Sequence, residues 1–155
     1  MGSRQNRFKN WFGDWELAGK TEPILNGKPV SELTGKEFAK SDKSILDQVG
    51  DFFKSIGGKV DVKGIGQVVF DRRSVKDSLS HGIGRNKAVA FKAIPEILTK
   101  GQIVDRQANW KGRGYNSYTI SAPITINGER FVAFAIVNEA TEQENHRFYL
   151  HEVVL

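Results

Sequence analysis

The sequence predicts an α+β fold, with N-terminal helices packed on one face of an antiparallel sheet of four to five strands. Three observations carry that expectation. Apolar residues recur at helical spacing between Ile45 and Leu98, and beyond Gln102 the pattern changes to period two. Asn127-Gly128 then stands between two strand-length runs as a hairpin turn would. At 155 residues and 39% hydrophobic, the chain closes one ordinary core and is short for two. We therefore treat residues 1–155 as a single domain. An N-terminal arm, 1–35, packs on the core; a mainly helical part, 36–101, follows; the sheet occupies 102–155.

In the arm, Phe8, Trp11, Phe12 and Trp15 crowd into residues 7–15, a segment too apolar to leave in water and expected against the core. Residues 19–27, with Pro23 and Asn26-Gly27, read as turns. Ser41 or Asp42 is placed to cap a helix carrying Ile45, Val49, Phe52, Phe53 and Ile56, which Gly57-Gly58 stops. Residues 59–63 alternate as a strand and 67–70 form a second. A helix over 72–80 carries Val75 and Leu79 on one face and ends at His81-Gly82. Asn86 caps the next, with Ala88, Phe91, Ile94, Ile97 and Leu98 as its apolar stripe; Pro95 opens a fresh turn and Lys100-Gly101 closes it. Residues 115–126, 130–138 and 146–155 are strand-length, with a polar loop over 139–145.

Alternation assigns the strand faces. Tyr118, Ile120, Ala122, Ile124 and Ile126 share one side; Ser117, Thr119, Ser121 and Thr125 share the other. In the last strand Phe148, Leu150 and Val154 point one way, and Arg147, Tyr149 and His151 the other. The apolar sets must meet the helices, so the polar sets are expected together on an open, solvated face.

Composition narrows the function. No apolar run approaches the roughly 18–20 residues that cross a bilayer, and residues 4–10 are too polar for a signal core, so no membrane partner is expected. Absent cysteines remove disulfides, thiol catalysis and Cys-type zinc sites. His146 and His151 lie five apart on one strand and face opposite ways, and His81 has no spaced partner, so no metal and no other cofactor is expected. Glycine-elbow and phosphate-loop motifs are missing. A net charge of +5 and a pI near 9.5 favour polyanions.

The charge is clustered. Residues 71–92 gather Arg72, Arg73, Lys76, His81, Arg85, Lys87 and Lys92 against Asp71 and Asp77. Residues 109–115 interleave Lys111 and Arg113 with Trp110 and Tyr115 on a glycine-rich loop, which suits single-stranded nucleic acid: charge meets phosphate and rings stack on bases. We expect Arg72, Arg73, Arg85, Lys87, Trp110, Lys111, Arg113 and Tyr115 to bind RNA, the two clusters forming one positive groove. Cleavage of RNA without metal asks for a base, an acid and positive charge near the phosphorane, because the 2′-hydroxyl is itself the nucleophile. His81 and His151 are the acid–base candidates, since histidine takes and gives a proton near neutrality. Tyr149, Arg147 and Lys76 are expected to assist.

Several separated stretches are familiar in order. Phe70-Asp71-Arg72-Arg73-Ser74-Val75-Lys76-Asp77-Ser78-Leu79-Ser80-His81-Gly82 is followed by Ala93-Ile94-Pro95-Glu96-Ile97-Leu98, Trp110-Lys111-Gly112-Arg113-Gly114-Tyr115 and Phe148-Tyr149-Leu150-His151-Glu152-Val153. Together they resemble the phage and mobile-element large polyvalent protein-associated domains over residues 66–155; residues 16–65 add little. The opening Phe8-Lys9-Asn10-Trp11-Phe12-Gly13-Asp14 is similar to the lead-in before toxin domains of such proteins. The resemblance implies kinship with the barnase/EndoU/colicin/RelE-like (BECR) nuclease group, whose helices-then-sheet order agrees with the pattern above. It implies an endoribonuclease toxin acting on tRNA or other cellular RNA in a cytoplasm, delivered as the C-terminal domain of a phage or secreted protein. A cognate immunity or antitoxin protein is then an expected partner. The alternatives are a non-catalytic accessory domain that binds nucleic acid or protein and, ranked last, an ADP-ribosyl transferase sharing the lead-in.

Overall fold

The computed structural model describes the backbone of residues 23–24, 26–80, 88–108, 115–140 and 148–154, with side chains except at 77–80, 115, 140, 149, 151, 152 and 154. Strand β1 (Ser31–Leu33) lies within the stretch read as an arm and instead joins the sheet, parallel to β5 (Tyr115–Ile126). Its backbone is held by Val30 N donating to Pro123 O at 2.9 Å and by Asn127 N donating to Leu33 O at 2.8 Å. Three residues are too few to show alternation, so the sequence carried no strand signal here.

Helix α1 spans Ile45–Ser55. Its cap is Ser44 rather than Ser41 or Asp42: the Ser44 hydroxyl accepts from Asp47 N at 3.1 Å, and Ser41 and Asp42 sit outside the first turn. Val49 and Phe53 are fully buried, whereas Ile56 has left the helix and lies exposed. Gly57 and Gly58, both at positive φ, reverse the chain into β2 (Lys59–Val62), which pairs antiparallel with β3 (Gly66–Val69).

Helix α2 (Arg72–Ser80) opens on Asp71, whose carboxylate accepts from Arg73 N at 2.9 Å. It lies on β7 (Phe148–Val154), and Ser74 donates its hydroxyl to Leu150 O at 2.6 Å. A tight 3-10 turn over Val89–Ala93 passes directly into α3 (Ile94–Lys100) at Pro95, the fresh turn expected there. The whole stripe Ala88, Phe91, Ile94, Ile97 and Leu98 is buried. Strands β4 (Gln102–Gln107) and β6 (Glu129–Ala140) complete the list. Asn127 and Gly128, both at positive φ, make the β5–β6 turn.

The α+β class is what the structure shows, with the helices on one face. Strands β4-β5-β6-β7 form an antiparallel body of four, and the β2–β3 hairpin extends it by a parallel pairing of β3 with β7. β1 and β4 occupy successive stretches of the same edge of β5. The main core joins Val49, Phe53, Val75 and the residue 88–98 stripe to Ile120, Ala122, Ile124, Ala133, Ala135, Val137, Leu150 and Val153.

Two expectations about the faces are corrected. The hydroxyl-bearing face of β5 is not open: Ser117, Thr119 and Ser121 are 5%, 1% and 0% exposed. The register of β6 places Phe134, Ile136 and Asn138 beside those hydroxyls on the same face, and all of them are buried as well. The unbroken apolar run Phe131-Val132-Ala133-Phe134-Ala135-Ile136-Val137 is that of a strand covered on both faces. In β7 the alternation breaks. Val137 pairs with Leu150 and Ile136 with Glu152, so His151 is the extra residue of a β-bulge. Val153 therefore takes a core place beside Leu150, out of the phase expected from Phe148 and Leu150.

Candidate nucleic-acid site

Three connections leave one end of the sheet. Register aligns Asn116 of β5 with Glu139 of β6, Glu139 with Phe148 of β7, and Phe148 with Val68 of β3. The connections over 108–114 and 141–147 both start from that level, and the β2–β3 turn, which re-enters the sheet at Gly66, borders it. Asn116 Nδ2 donates to Glu139 Oε1 at 3.0 Å, and Tyr118 OH donates to the same oxygen at 3.4 Å. Arg106, paired with Tyr118 across β4–β5, holds its guanidinium 5.9 Å from the phenol ring centre. The Phe148 ring centre lies at the same distance from it, 5.9 Å. Gly64 lies beside the guanidinium: a Cβ there would come to 3.8 Å of Arg106 Nη2.

Burial pushes the Tyr118 phenol above its ordinary range, and the charge and hydrogen bond of Glu139 push the same way, while Arg106 pulls back. The phenol therefore stays protonated at neutral pH. A carboxylate, a phenol, an amide and a guanidinium thus meet at a half-open sheet end whose two long connections carry Trp110, Lys111, Arg113 and Arg147. Such a set can accept a proton, donate hydrogen bonds and offset negative charge.

This is a different set from the one expected. Lys76 is exposed on α2, and Arg72 and Arg73 are exposed at that helix's start, with Arg72 Nη2 paired to Asp47 Oδ1 at 2.9 Å. Tyr149 lies on β7 opposite Asn138, and His151 is the bulge residue two positions on; for both, and for Tyr115 at the start of β5, only the backbone is described. His81, Arg85, Lys87, Trp110, Lys111, Arg113 and Arg147 lie outside the described residues, as do the aromatic segment 7–15 and most of the expected positive groove. Among the described residues no three His, Cys, Asp or Glu side chains gather as a metal site would need.

The sequence pattern does not single out Arg106 or Asn116, sets Tyr118 among the packing residues and leaves Glu139 in a polar loop. A signal was present: Glu139 falls in phase with Ala133, Ala135 and Val137, so continuing the strand by one residue sets a carboxylate at the rim of the core face.

No curated protein and no solved structure matches the chain. A family model does, over residues 40–149, under the description large polyvalent protein-associated domain 3. The match starts well before residue 66, so α1 and the β2–β3 hairpin are part of the family pattern as well. It takes in β3, β4, β5, β6, the first two residues of β7 and both long connections that leave the site, and by that match the chain belongs to the large polyvalent protein-associated domain 3 family.

Proposed function

We propose that this domain is a metal-independent endoribonuclease, acting as a toxin module of phage or mobile-element polyvalent proteins. The observation that carries the reading is the convergence of Arg106, Asn116, Tyr118 and Glu139 at the root of two cation-bearing connections. The likeness to the BECR nucleases and the chain's excess of +5 point the same way. In this reading Glu139 takes the proton of an RNA 2′-hydroxyl as that oxygen attacks the adjacent phosphorus. Arg106, the Tyr118 hydroxyl and the nearby cations offset the charge of the phosphorane. The bond from phosphorus to the 5′ oxygen then breaks, and an imidazole, His151 or His81, gives that oxygen a proton. A 2′,3′-cyclic phosphate and a 5′-hydroxyl result, so atoms and charge balance without a metal ion. His151 is the extra residue of the β7 bulge, a feature over-represented next to active sites, which favours it as the acid.

The test is incubation of the domain with total tRNA and rRNA in EDTA. Cyclic-phosphate ends are expected, with Glu139→Gln and His151→Ala each lowering the rate about 10²–10⁴-fold while circular dichroism is kept. Retention of RNA without cleavage would overturn the enzyme reading in favour of an accessory binding domain. Undiminished cleavage by both folded variants would move the site elsewhere.

A further inference from the structure

The turn between β2 and β3 is far from β4 in strand order and yet touches it. In the order β4-β5-β6-β7-β3-β2, four to five strand spacings separate the two, roughly 19–24 Å in a flat sheet. A Cβ built on Gly64, within that turn, would nevertheless come to 3.5 Å of Ile103 Cδ1 and 3.8 Å of Arg106 Nη2, both on β4. The sheet therefore curls until its two sides meet at this end. At Gly66, where β3 begins, a Cβ would lie 3.8 Å from Phe148 Cε2. Both glycines hold positive φ, 87° and 124°, a conformation that lets the turn fold back this closely. Arg106, Tyr118, Glu139 and Phe148 thus stand round the mouth of a curled sheet, and the turn Lys63-Gly64-Ile65 closes the ring. Mouths of this kind are a common place for ligands.

Building on the ribonuclease reading of this site, we propose that Lys63 is a phosphate-binding residue, taking an RNA phosphate that flanks the reacting one. Lys63 adjoins Gly64, is exposed, and has no carboxylate at ion-pair distance among the described residues, so its ammonium is available to a ligand. Across the mouth the order runs from Glu139 to Tyr118, to Arg106 and then to the turn. The proton acceptor is on one side and Lys63 on the other, with the Arg106 guanidinium between them. A strand whose reacting phosphate lies between Glu139 and Arg106 carries its next phosphate towards the turn. A lysine there offers a compact charge on a flexible stem, which holds a phosphate without reading the base. Such a contact is made alike before and during the reaction, so it acts on substrate binding rather than on turnover. Lys63 belongs to neither of the basic clusters at 71–92 and 109–115, and only the curl of the sheet brings it beside Arg106.

The experiment measures binding of a single-stranded 2′-O-methyl RNA, whose blocked 2′ oxygen prevents cleavage, at several salt concentrations. Lys63→Ala should weaken binding alike across sequences and lower the slope of log affinity against log salt by about 0.7, the value of one phosphate contact on a single strand. Lys63→Arg should keep the slope. Lys59→Ala is the control: Lys59 is exposed on the same strand but pairs with Val69, at the end of the hairpin away from the turn, so the same charge is removed from elsewhere. Equal losses in the two alanine variants would make the effect one of net charge and overturn the proposal. An unchanged slope in Lys63→Ala would overturn it as well, while RNA binding by the unaltered chain would leave the reading of the site in place. If the unaltered chain binds no RNA, that reading falls and the role of Lys63 falls with it. With cleavable RNA, Lys63→Ala should raise KM and keep kcat. A fall in kcat at constant KM would put Lys63 at the reacting phosphate and overturn the flanking placement.

Discussion

Tyr118 and Asn116 share one carboxylate oxygen of Glu139, and that sharing fixes how the phenol titrates. Burial is the largest influence and raises the phenol's pKa; the Glu139 charge and hydrogen bond raise it further. The folded state therefore keeps this proton at a pH where the unfolded chain has released it. The stability involved is fully present below the ordinary phenol value of about 10 and is lost as pH rises through the higher folded value. Ultraviolet titration of the phenolate should show a tyrosine ionising above the ordinary phenol range, and Tyr118→Phe should remove that late step. Glu139→Gln should lower its midpoint without returning it to the ordinary value, since burial remains. A late step that survives Tyr118→Phe would assign the shift to another tyrosine. Residue chemistry of this kind was only partly legible. Tyr118 was correctly placed among core-facing residues, but alternation says which side a residue takes, not which neighbours gather at a strand's end.

Among the elements, those bounded by strong local chemistry were readable. α2 begins and ends where the pattern placed it, and the Asn127-Gly128 turn and the change of helix type at Pro95 follow from residues that admit few backbone conformations. The features missed depend on distant partners. The His151 bulge exists because β7 gains a residue against Ile136 and Val137, and nothing within β7 itself announces it. Gly101 is a case where the local reading was right for an incomplete reason. It ends α3 as a helix stop should, with its N–H bonded to Ile97 O at 2.9 Å, but its φ of −76° does not require glycine. What excludes a side chain is space: a Cβ would come to 2.8 Å of both Ile120 Cγ2 and Ser121 O, and closer still to Ile97 O. Gly101→Ala should therefore destabilise the fold by about 1–3 kcal/mol, the usual cost of overpacking. Thermal or denaturant unfolding measures it, and a neutral result would mean that the α3–β5 junction yields more easily than its backbone contacts suggest.

At the scale of the whole molecule, the helices-then-sheet order was legible because each hydrophobic period ran long enough to show itself. The second buried face was not, since the hydroxyls of β5 read as solvated until β6 supplied Phe134 and Ile136 beside them. Net charge belongs to this scale too, and its parts are unequal. Arg72 is committed to Asp47 of α1, so its charge is partly neutralised within the helical layer. Lys111 and Arg113 stand in the connection that enters β5 at Tyr115, next to the level of Asn116 and Glu139, with no acidic residue between Gln107 and Tyr115. If the domain binds RNA, these two should contact phosphates, each contact releasing counterions and adding about 0.7 to the slope of log affinity against log salt on a single strand. Lys111→Ala with Arg113→Ala should weaken binding alike across RNA sequences and flatten that slope by about 1.4. Arg72→Ala should change the slope far less and show itself instead as a small loss of thermal stability, because an exposed ion pair contributes about 0–1 kcal/mol. Binding curves at four or five salt concentrations separate the two variants. An unchanged slope in the double variant would remove the 108–114 connection from the phosphate-binding surface, and a large slope change from Arg72→Ala would move that surface to the start of α2.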